Sequence, residues 1–141
     1  ARGAEAARAF EAAESALAFT AATLDAVVAA ARHRARLVER VGELAGDKGM
    51  EAADLAREIA LLADRLDISE EITRLESHLA QLRSVLSSGG SVGRQLDFLA
   101  QEFFREANTV GSKCNDADVA HLVVELKTHV ERLREQVQNI E

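Results

Sequence analysis

The sequence predicts an all-α protein made of long antiparallel helical hairpins that form an extended bundle. The chain has 141 residues, of which 48% are hydrophobic but only 4% aromatic, and it contains no proline. Much of the apolar content is Ala and Leu, which are strong helix formers. Apolar residues recur at helical spacings, and we find no alternating run of convincing length for a strand. Long helices with apolar stripes must pack on one another or on other subunits, so oligomerisation is also expected.

The first half of the chain predicts two helical segments. Residues 4–44 keep helical apolar spacing without a breaker, which predicts one long helix. Residues 46–49 include two glycines and predict a helix cap followed by a tight turn. A second apolar series covers residues 55–86, as a helix that is either continuous or slightly broken at residues 67–69. Asp67 and the Glu three positions later resemble a capping box at that point.

The second half predicts two more helices and two connections. The Ser- and Gly-rich residues 87–93 predict a flexible loop and a second chain reversal. A third helix follows to about Val110, and residues 111–116 read as a polar turn. Asp116 is placed to cap a last helix over residues 117–138.

The start of the chain and its composition set expectations for organisation and location. The chain opens in the middle of a helical pattern without an initiator Met. We therefore expect a fragment of a longer protein, with residues 1–49 forming a long central helix and turn and residues 50–141 forming a C-terminal helical domain. A single cysteine, Cys114, and the lack of a signal peptide or a long uncharged apolar run predict a cytoplasmic protein with no membrane partner.

The formal net charge is −7. This balance argues against nucleic-acid binding through a general basic surface, although a local basic site remains compatible with it.

Residues 93–116, GRQLDFLAQEFFREANTVGSKCND, carry the most informative pattern of the chain. Wound at about 100° per residue, this helix has one apolar and one polar side. The apolar stripe comprises Leu96, Leu99, Phe103, Ala107 and Val110. The polar stripe comprises Arg94, Asp97, Gln101, Arg105 and Asn108, with Glu102 and Glu106 at its border.

Three side chains of this region and the preceding helix could take part in metal or acid–base chemistry. Glu102 and Glu106 are four residues apart, so both carboxylates can project together and hold a divalent cation. Such pairs also occur on ordinary solvated helices. His78 could be a metal ligand or a general base near neutral pH, or an ordinary histidine at the edge of an apolar stripe.

The same helix carries groups that could grip a phosphodiester. The cations and amides concerned are Arg94, Arg105, Lys113, Gln101 and Asn108. The alternative is an interface in which these cations pair with Asp97 and the two glutamates. Phe98 lies in the polar stripe, where it could stack on a base or fill a subunit contact.

Three segments of the sequence are recognisable. ISEEITRLESHLAQLRSVL, VGRQLDFLAQEFFREANTVGSKCND and VVELKTHVERLREQVQNIE resemble the C-terminal domain of the YicC/YloC family of bacterial endoribonucleases. The resemblance covers residues 53–141. It implies a cytoplasmic, metal-dependent ribonuclease that assembles as a ring-like hexamer and cuts single-stranded or structured RNA. It also implies that the family's mixed α/β N-terminal domain is missing from this chain.

The family pattern can be carried over position by position. It falls on Glu71, Arg74, His78, Gly93, Arg94, Asp97, Gln101, Glu102, Arg105, Glu106, Asn108, Thr109, Ser112 and Lys113. The chain departs from it at Cys114, where the family usually has Ser, and at Phe104, where it often has a polar residue such as Asn. A nucleophilic role for the Cys114 thiol is therefore not expected.

These observations lead to one hypothesis and two alternatives. The predicted catalytic residues are His78, Glu102, Glu106 and Asp97. The predicted ligands of a manganese or magnesium ion are His78, Glu102, Glu106 and Glu71, and the predicted RNA or phosphate contacts are Arg74, Arg94, Gln101, Arg105, Asn108 and Lys113. The alternatives are a helical oligomerisation scaffold and a ribonuclease adaptor, whose catalysis or RNA capture needs the missing N-terminal domain.

Overall fold

Five α-helices account for nearly all of the residues that the computed structural model describes, which are 2–47, 51–89, 93–114 and 116–140. The helices are α1 (Arg2–Asp47), α2 (Ala52–Leu66), α3 (Ser69–Ser88), α4 (Gly93–Lys113) and α5 (Ala117–Ile140). No strand occurs within the described ranges. The predicted all-α class is confirmed.

Helix α1 lies antiparallel to α5, which is the last helix of the chain. The ring of Phe19 on α1 stacks on His129 of α5 with centroids 5.4 Å apart, and Arg34 reaches Asp116 at the start of α5. Small side chains such as Ala13 and Ala16 are buried on α1, where they allow the two helices to approach closely. By length and composition alone, the Gly3–Leu44 part of α1 could also cross a membrane. Here its apolar face contributes to the same core as α5.

Helix α4 packs between α3 and α5, and both neighbours run antiparallel to it. Ion pairs join Arg74 to Glu106 on the α3 side and Arg134 to Asp97 on the α5 side. The apolar stripe predicted for this helix is buried as a whole, and Phe103 at its centre has no exposed surface. The core formed by α3, α4 and α5 is continuous with the first half of α1.

The second half of α1 forms a hairpin with α2. Gly42 is buried against the side chain of Ile59, so a larger residue at position 42 would collide with it. Several large apolar side chains of this hairpin are exposed, namely Leu37, Val41, Leu44, Leu61 and Leu62.

The helix boundaries confirm the predicted break at residues 67–69 and the predicted cap at Asp116, but Asp67 bonds to Ser69 and forms no capping box with Glu70. The chain breaks between α2 and α3 because Asp67 Oδ1 accepts hydrogen bonds from the Ser69 backbone N–H at 3.0 Å and the Ser69 hydroxyl at 2.6 Å. At the start of α5, Asp116 Oδ1 accepts the Asp118 backbone N–H at 2.8 Å, which is the predicted cap.

Two other boundaries differ from the prediction. Helix α1 continues through Asp47, so Gly46 lies inside the helix and does not cap it. Helix α4 continues to Lys113, three residues beyond the expected end, because the Cys114 N–H still bonds to the Val110 carbonyl at 3.0 Å. Parts of the predicted turn and loop lie outside the described residues, namely Lys48 and Gly49 of the turn and residues 90–92 of the loop.

Candidate functional site

Four charged side chains form an ionic cluster between α3 and α4. Arg74 Nε lies 2.8 Å from Glu106 Oε1, and Lys113 Nζ lies 2.8 Å from Glu71 Oε1. The Arg74 guanidinium also approaches Glu71 Oε1 at 3.7 Å, so it links the two pairs. We call these four residues the α3–α4 cluster. Two cations and two carboxylates balance within it, and they fix the antiparallel register of the helices.

The carboxylates of the α3–α4 cluster are buried. Glu71 is 4% exposed and Glu106 is 8% exposed. Burial alone would raise the pKa of Glu71, but the hydrogen bond from Lys113, a backbone hydrogen bond and the nearby cations together hold this pKa below its ordinary value. The same hydrogen bond raises the pKa of Lys113. Glu71 is therefore a buried anion held by a cation, although its Oε2 atom has no hydrogen-bond partner among the described residues.

His78 and Glu102 lie next to this cluster. His78 is one turn beyond Arg74 on α3, and Glu102 is one turn before Glu106 on α4, so the antiparallel register places them at the same level. Both side chains are half-buried. Within the described part of the chain, the buried Nδ1 atom of His78 has no hydrogen-bond partner and Glu102 has no ion pair. These two groups are available for chemistry in a way that Glu71 and Glu106 are not.

Two predicted site residues face α5 and are already engaged. Asp97 Oδ1 accepts a hydrogen bond from Arg134 Nε at 3.0 Å, and Asn108 Oδ1 accepts one from Lys127 Nζ at 2.9 Å. Asp97 therefore lies on the opposite side of α4 from Glu106 and His78. The structure does not bring it together with the other predicted catalytic residues.

Three predicted RNA contacts point away from both neighbouring helices. Arg94, Gln101 and Arg105 are exposed on the outward side of α4, and Phe98 among them is 62% exposed. None of the three polar side chains has a hydrogen bond or ion pair to another described residue. Arg74 and Lys113, by contrast, are committed to carboxylates. The predicted group of phosphate contacts is thus divided between the interior cluster and the outer side of α4.

The predicted metal ligands are not arranged as a ligand set within one chain. No three His, Cys, Asp or Glu side chains of the described residues lie together as a metal site would require. Glu71 and Glu106 are occupied by Lys113 and Arg74, and a metal ion there would have to displace both cations. The described donors therefore do not fit a divalent ion in a single copy of the chain, and metal dependence stays a prediction.

Sequence reasoning missed the partners that position these side chains. Arg134 and Lys127 hold Asp97 and Asn108 from α5, and Arg34 reaches Asp116 from α1 at 3.2 Å. The only sequence signal was the presence of opposite charges on separate helices. It becomes informative only when the pairing and register of those helices are known.

Comparison with known proteins agrees with the family resemblance. Residues 22–141 match the family model described as "Endoribonuclease YicC-like, C-terminal". The chain is 46% identical over 110 residues to a protein named "Probable endoribonuclease YicC" from Clostridioides difficile (strain 630), an alignment that covers 77% of this chain and 38% of the relative. It is 42% identical over 108 residues to a protein of the same name from Haemophilus influenzae, covering 77% of the chain and 37% of the relative.

The chain thus spans less than two fifths of the length of either relative. The matched region includes all of α2 to α5 and the second half of α1, and with them the α3–α4 cluster and the outward side of α4. The chain belongs to the family of YicC-like endoribonucleases, whose C-terminal region it represents.

Proposed function

We propose that this chain supplies catalytic helices for endonucleolytic cleavage of RNA phosphodiester bonds. Membership of the YicC-like family supports the reaction class, and the two relatives carry the name of endoribonuclease. The assignment of residues rests on the α3–α4 register, which the Arg74–Glu106 ion pair fixes and which places His78 and Glu102 at the same level of facing helices. Both side chains are half-buried, and neither has a charged partner among the described residues.

In this proposal, His78 is the group that moves a proton. Cleavage of a phosphodiester requires a base that removes a proton from the attacking hydroxyl and an acid that protonates the leaving oxygen. A neutral imidazole can take the proton from the attacking hydroxyl, and the imidazolium so formed can then give that proton to the leaving oxygen. Glu102, at the same level on α4, would orient the imidazole through a hydrogen bond that forms when RNA is bound, since none joins the two side chains in the free chain.

Glu106 and Glu71 have supporting roles in the same proposal. Each accepts a hydrogen bond from a cation of the α3–α4 cluster, and together these pairs hold α3 and α4 in the register that places His78 and Glu102 at the same level. A manganese or magnesium requirement remains part of the proposal as an expectation from the family. Because the described donors do not form a metal site in one chain, we assign no step to the ion.

The experiment is cleavage of a labelled structured RNA in the presence of manganese by the chain and its variants. We expect His78→Gln and Glu102→Gln each to reduce the rate at least about 100-fold, the lower range of a lost general acid–base group. Glu76→Gln is the matched control, because Glu76 is an exposed carboxylate on α3 that makes no ion pair with another described residue. It should leave the rate unchanged.

The result also separates the enzyme from the alternatives. If both site variants cleave as fast as the parent chain, the assignment of His78 and Glu102 is wrong. If the parent chain does not cleave RNA at all, the chain acts as a scaffold or adaptor and the chemistry requires a region that the relatives have beyond the matched part.

We further propose that the chain works as a homo-oligomer in the cytoplasm, as the hexamer expected from the family. The exposed apolar side chains of the α1–α2 hairpin support an assembly surface, since Val41 is 64% exposed and Leu44 is 62% exposed. Sedimentation of the chain beside Val41→Asp tests this: the variant should have a smaller mass than the parent, and equal masses would exclude this surface from the assembly.

A further inference from the structure

The outward side of α4 combines an exposed aromatic ring with two arginines that have no ion pair among the described residues. At about 100° per residue, Arg94, Phe98, Gln101 and Arg105 fall within a sector of about 60°. We call these four residues the α4 outer face. It lies opposite the buried stripe that contains Phe103, so it points away from the bundle.

The charge on the α4 outer face is positive although the whole chain has a formal net charge of −7. Of the three carboxylates of α4, two lie to either side of this sector and are paired, whereas Glu102 lies about 40° beyond Phe98 on the α3 side and has no ion pair among the described residues. Glu106 points to Arg74 on α3, and Asp97 points to Arg134 on α5, where its charge is compensated. This face is therefore a local basic strip with an amide donor, Gln101, between the two guanidinium groups.

The spacing suits a flexible polyanion with unpaired bases. Arg94 and Arg105 are eleven positions apart, which corresponds to about 16 Å along the helix axis, and Phe98 lies between them. Guanidinium groups bind phosphates through paired hydrogen bonds, and aromatic rings stack on bases that are free of a duplex. A ring on a convex helix surface has no access to bases that are paired and stacked inside an A-form duplex.

We propose that the α4 outer face binds single-stranded RNA, with Phe98 stacking on a base and Arg94 and Arg105 holding the phosphates on either side. This inference rests on the proposed function in naming RNA as the ligand, and it adds the strandedness of the RNA and the residue that contacts a base. Phe98 is a base-binding residue in this account, separate from the proton transfer assigned to His78.

The first test uses the natural lack of tryptophan and tyrosine in the chain. In Phe98→Trp, the indole is the only such fluorophore, and stacking on a base should quench it. We would titrate this variant with a short single-stranded oligouridine at low ionic strength, in the presence of EDTA to prevent metal-dependent cleavage. We expect quenching by oligouridine and none by an abasic oligonucleotide with the same number of phosphates. Phe10→Trp, an aromatic position on α1, is the control and should not be quenched.

The second test measures affinity by anisotropy of a labelled oligouridine. We expect Phe98→Ala to weaken binding about tenfold, within the range for loss of one base stack. Arg94→Gln and Arg105→Gln should each weaken binding and should each reduce the slope of log K against log salt concentration by about 0.7. Arg132→Gln, which removes an exposed arginine from α5, should change neither quantity.

Three outcomes would overturn the proposal. They are equal quenching by the abasic oligonucleotide, unchanged affinity in all three variants of the α4 outer face, and a Phe98→Ala variant whose only defect is a smaller assembly in sedimentation. The last would make Phe98 a protein contact. Binding is measured without cleavage, so a chain that binds RNA in this way but never cleaves it would refute the proposed catalysis alone. If the chain cleaves RNA but its affinity for RNA is unchanged by substitutions in the α4 outer face, only the RNA-binding role of that face is refuted.

Discussion

Arg74 Nε lies 2.8 Å from Glu106 Oε1, and this contact joins two helices at positions 32 residues apart in the chain. Glu106 is 8% exposed, so its carboxylate would be costly to bury without this cation. The pair also sets the register that places His78 and Glu102 at the same level of the two helices. A residue that the sequence marked as a metal ligand is thus, in the fold, the anion of an interhelical ion pair.

Substitutions at Glu106 and Glu102 should differ in whether they lower the stability of the fold or the rate of cleavage. Glu106→Gln removes the charge that balances Arg74, and we expect it to lower the free energy of unfolding by about 1.5–3 kcal/mol, the range for hydrogen bonds to charged groups. Glu102→Gln should change this free energy by less than about 0.5 kcal/mol, because the carboxylate has no ion pair among the described residues.

Urea unfolding followed by circular dichroism measures both effects, beside the rate of RNA cleavage. Glu102→Gln should lose cleavage while it keeps the stability of the parent. Equal destabilisation by the two substitutions would show that Glu102 also has a structural partner, and would weaken its assignment to the chemistry.

Glu71 should make stability depend on pH at the acidic end. Its pKa is lowered in the folded chain from an ordinary value of 4.5. The stabilisation is therefore fully present above about pH 4.5 and is lost as the pH falls through the lower pKa of the folded state. In Glu71→Gln this contribution is absent, so the difference in unfolding free energy between parent and variant should shrink below pH 4.5.

Lys113 gives the opposite sign at the alkaline end. The pKa of Lys113 is raised from 10.5, so its contribution to the free energy of unfolding is present below that pH and is lost as the pH rises through the higher pKa of the folded state.

Unfolding curves of parent and Glu71→Gln, measured across acidic and neutral pH, test the predicted loss of stability at acidic pH. Glu76→Gln serves as the control, and a constant offset between parent and Glu71→Gln at every pH would contradict the assigned ion pair.

Two phenylalanines five residues apart should differ sharply in their effect on stability. Phe103 has no exposed surface, so Phe103→Ala should lower the free energy of unfolding by about 3–5 kcal/mol through lost burial and a cavity. Phe98 is 62% exposed, and Phe98→Ala should change it by less than about 0.5 kcal/mol. Thermal or urea unfolding measures both. A large loss of stability in Phe98→Ala would mean that this ring is buried in an assembly.

Local patterns in the sequence predicted the helices and the sides of α4. The buried stripe around Phe103 follows from spacing alone, and the break at Asp67 and the cap at Asp116 follow from side chains that bond to the next turn of backbone. Each of these features depends on residues close in sequence. Local rules therefore sufficed for them.

The pairing of helices could not be predicted in the same way. The α1 stripe fits any partner with a complementary stripe, and nothing in its spacing selects α5 at the far end of the chain. Glu71 and Glu106 were predicted as metal ligands, and their pairing could not be foreseen because their cations, Lys113 and Arg74, stand 42 and 32 positions away. Their burial depends on the α3–α4 register, which is a property of the folded bundle.

Removal of divalent metal should affect cleavage and stability differently. The family resemblance predicts that cleavage needs manganese or magnesium, so EDTA should abolish it and added manganese should restore it. The melting temperature of the chain should stay unchanged in EDTA, because Glu71 and Glu106 are held by cations of the protein and the described residues form no metal cluster that would support the fold. Metals that bind only the folded state raise its stability by mass action, so a melting temperature that rises with manganese would reveal a site. If that rise disappears in Glu102→Gln but persists in Glu76→Gln, Glu102 is a ligand of the ion, and ligands other than the described carboxylates, histidines and cysteine of one chain complete the site. If cleavage continues undiminished in EDTA, the reaction proceeds by acid–base catalysis without a metal ion.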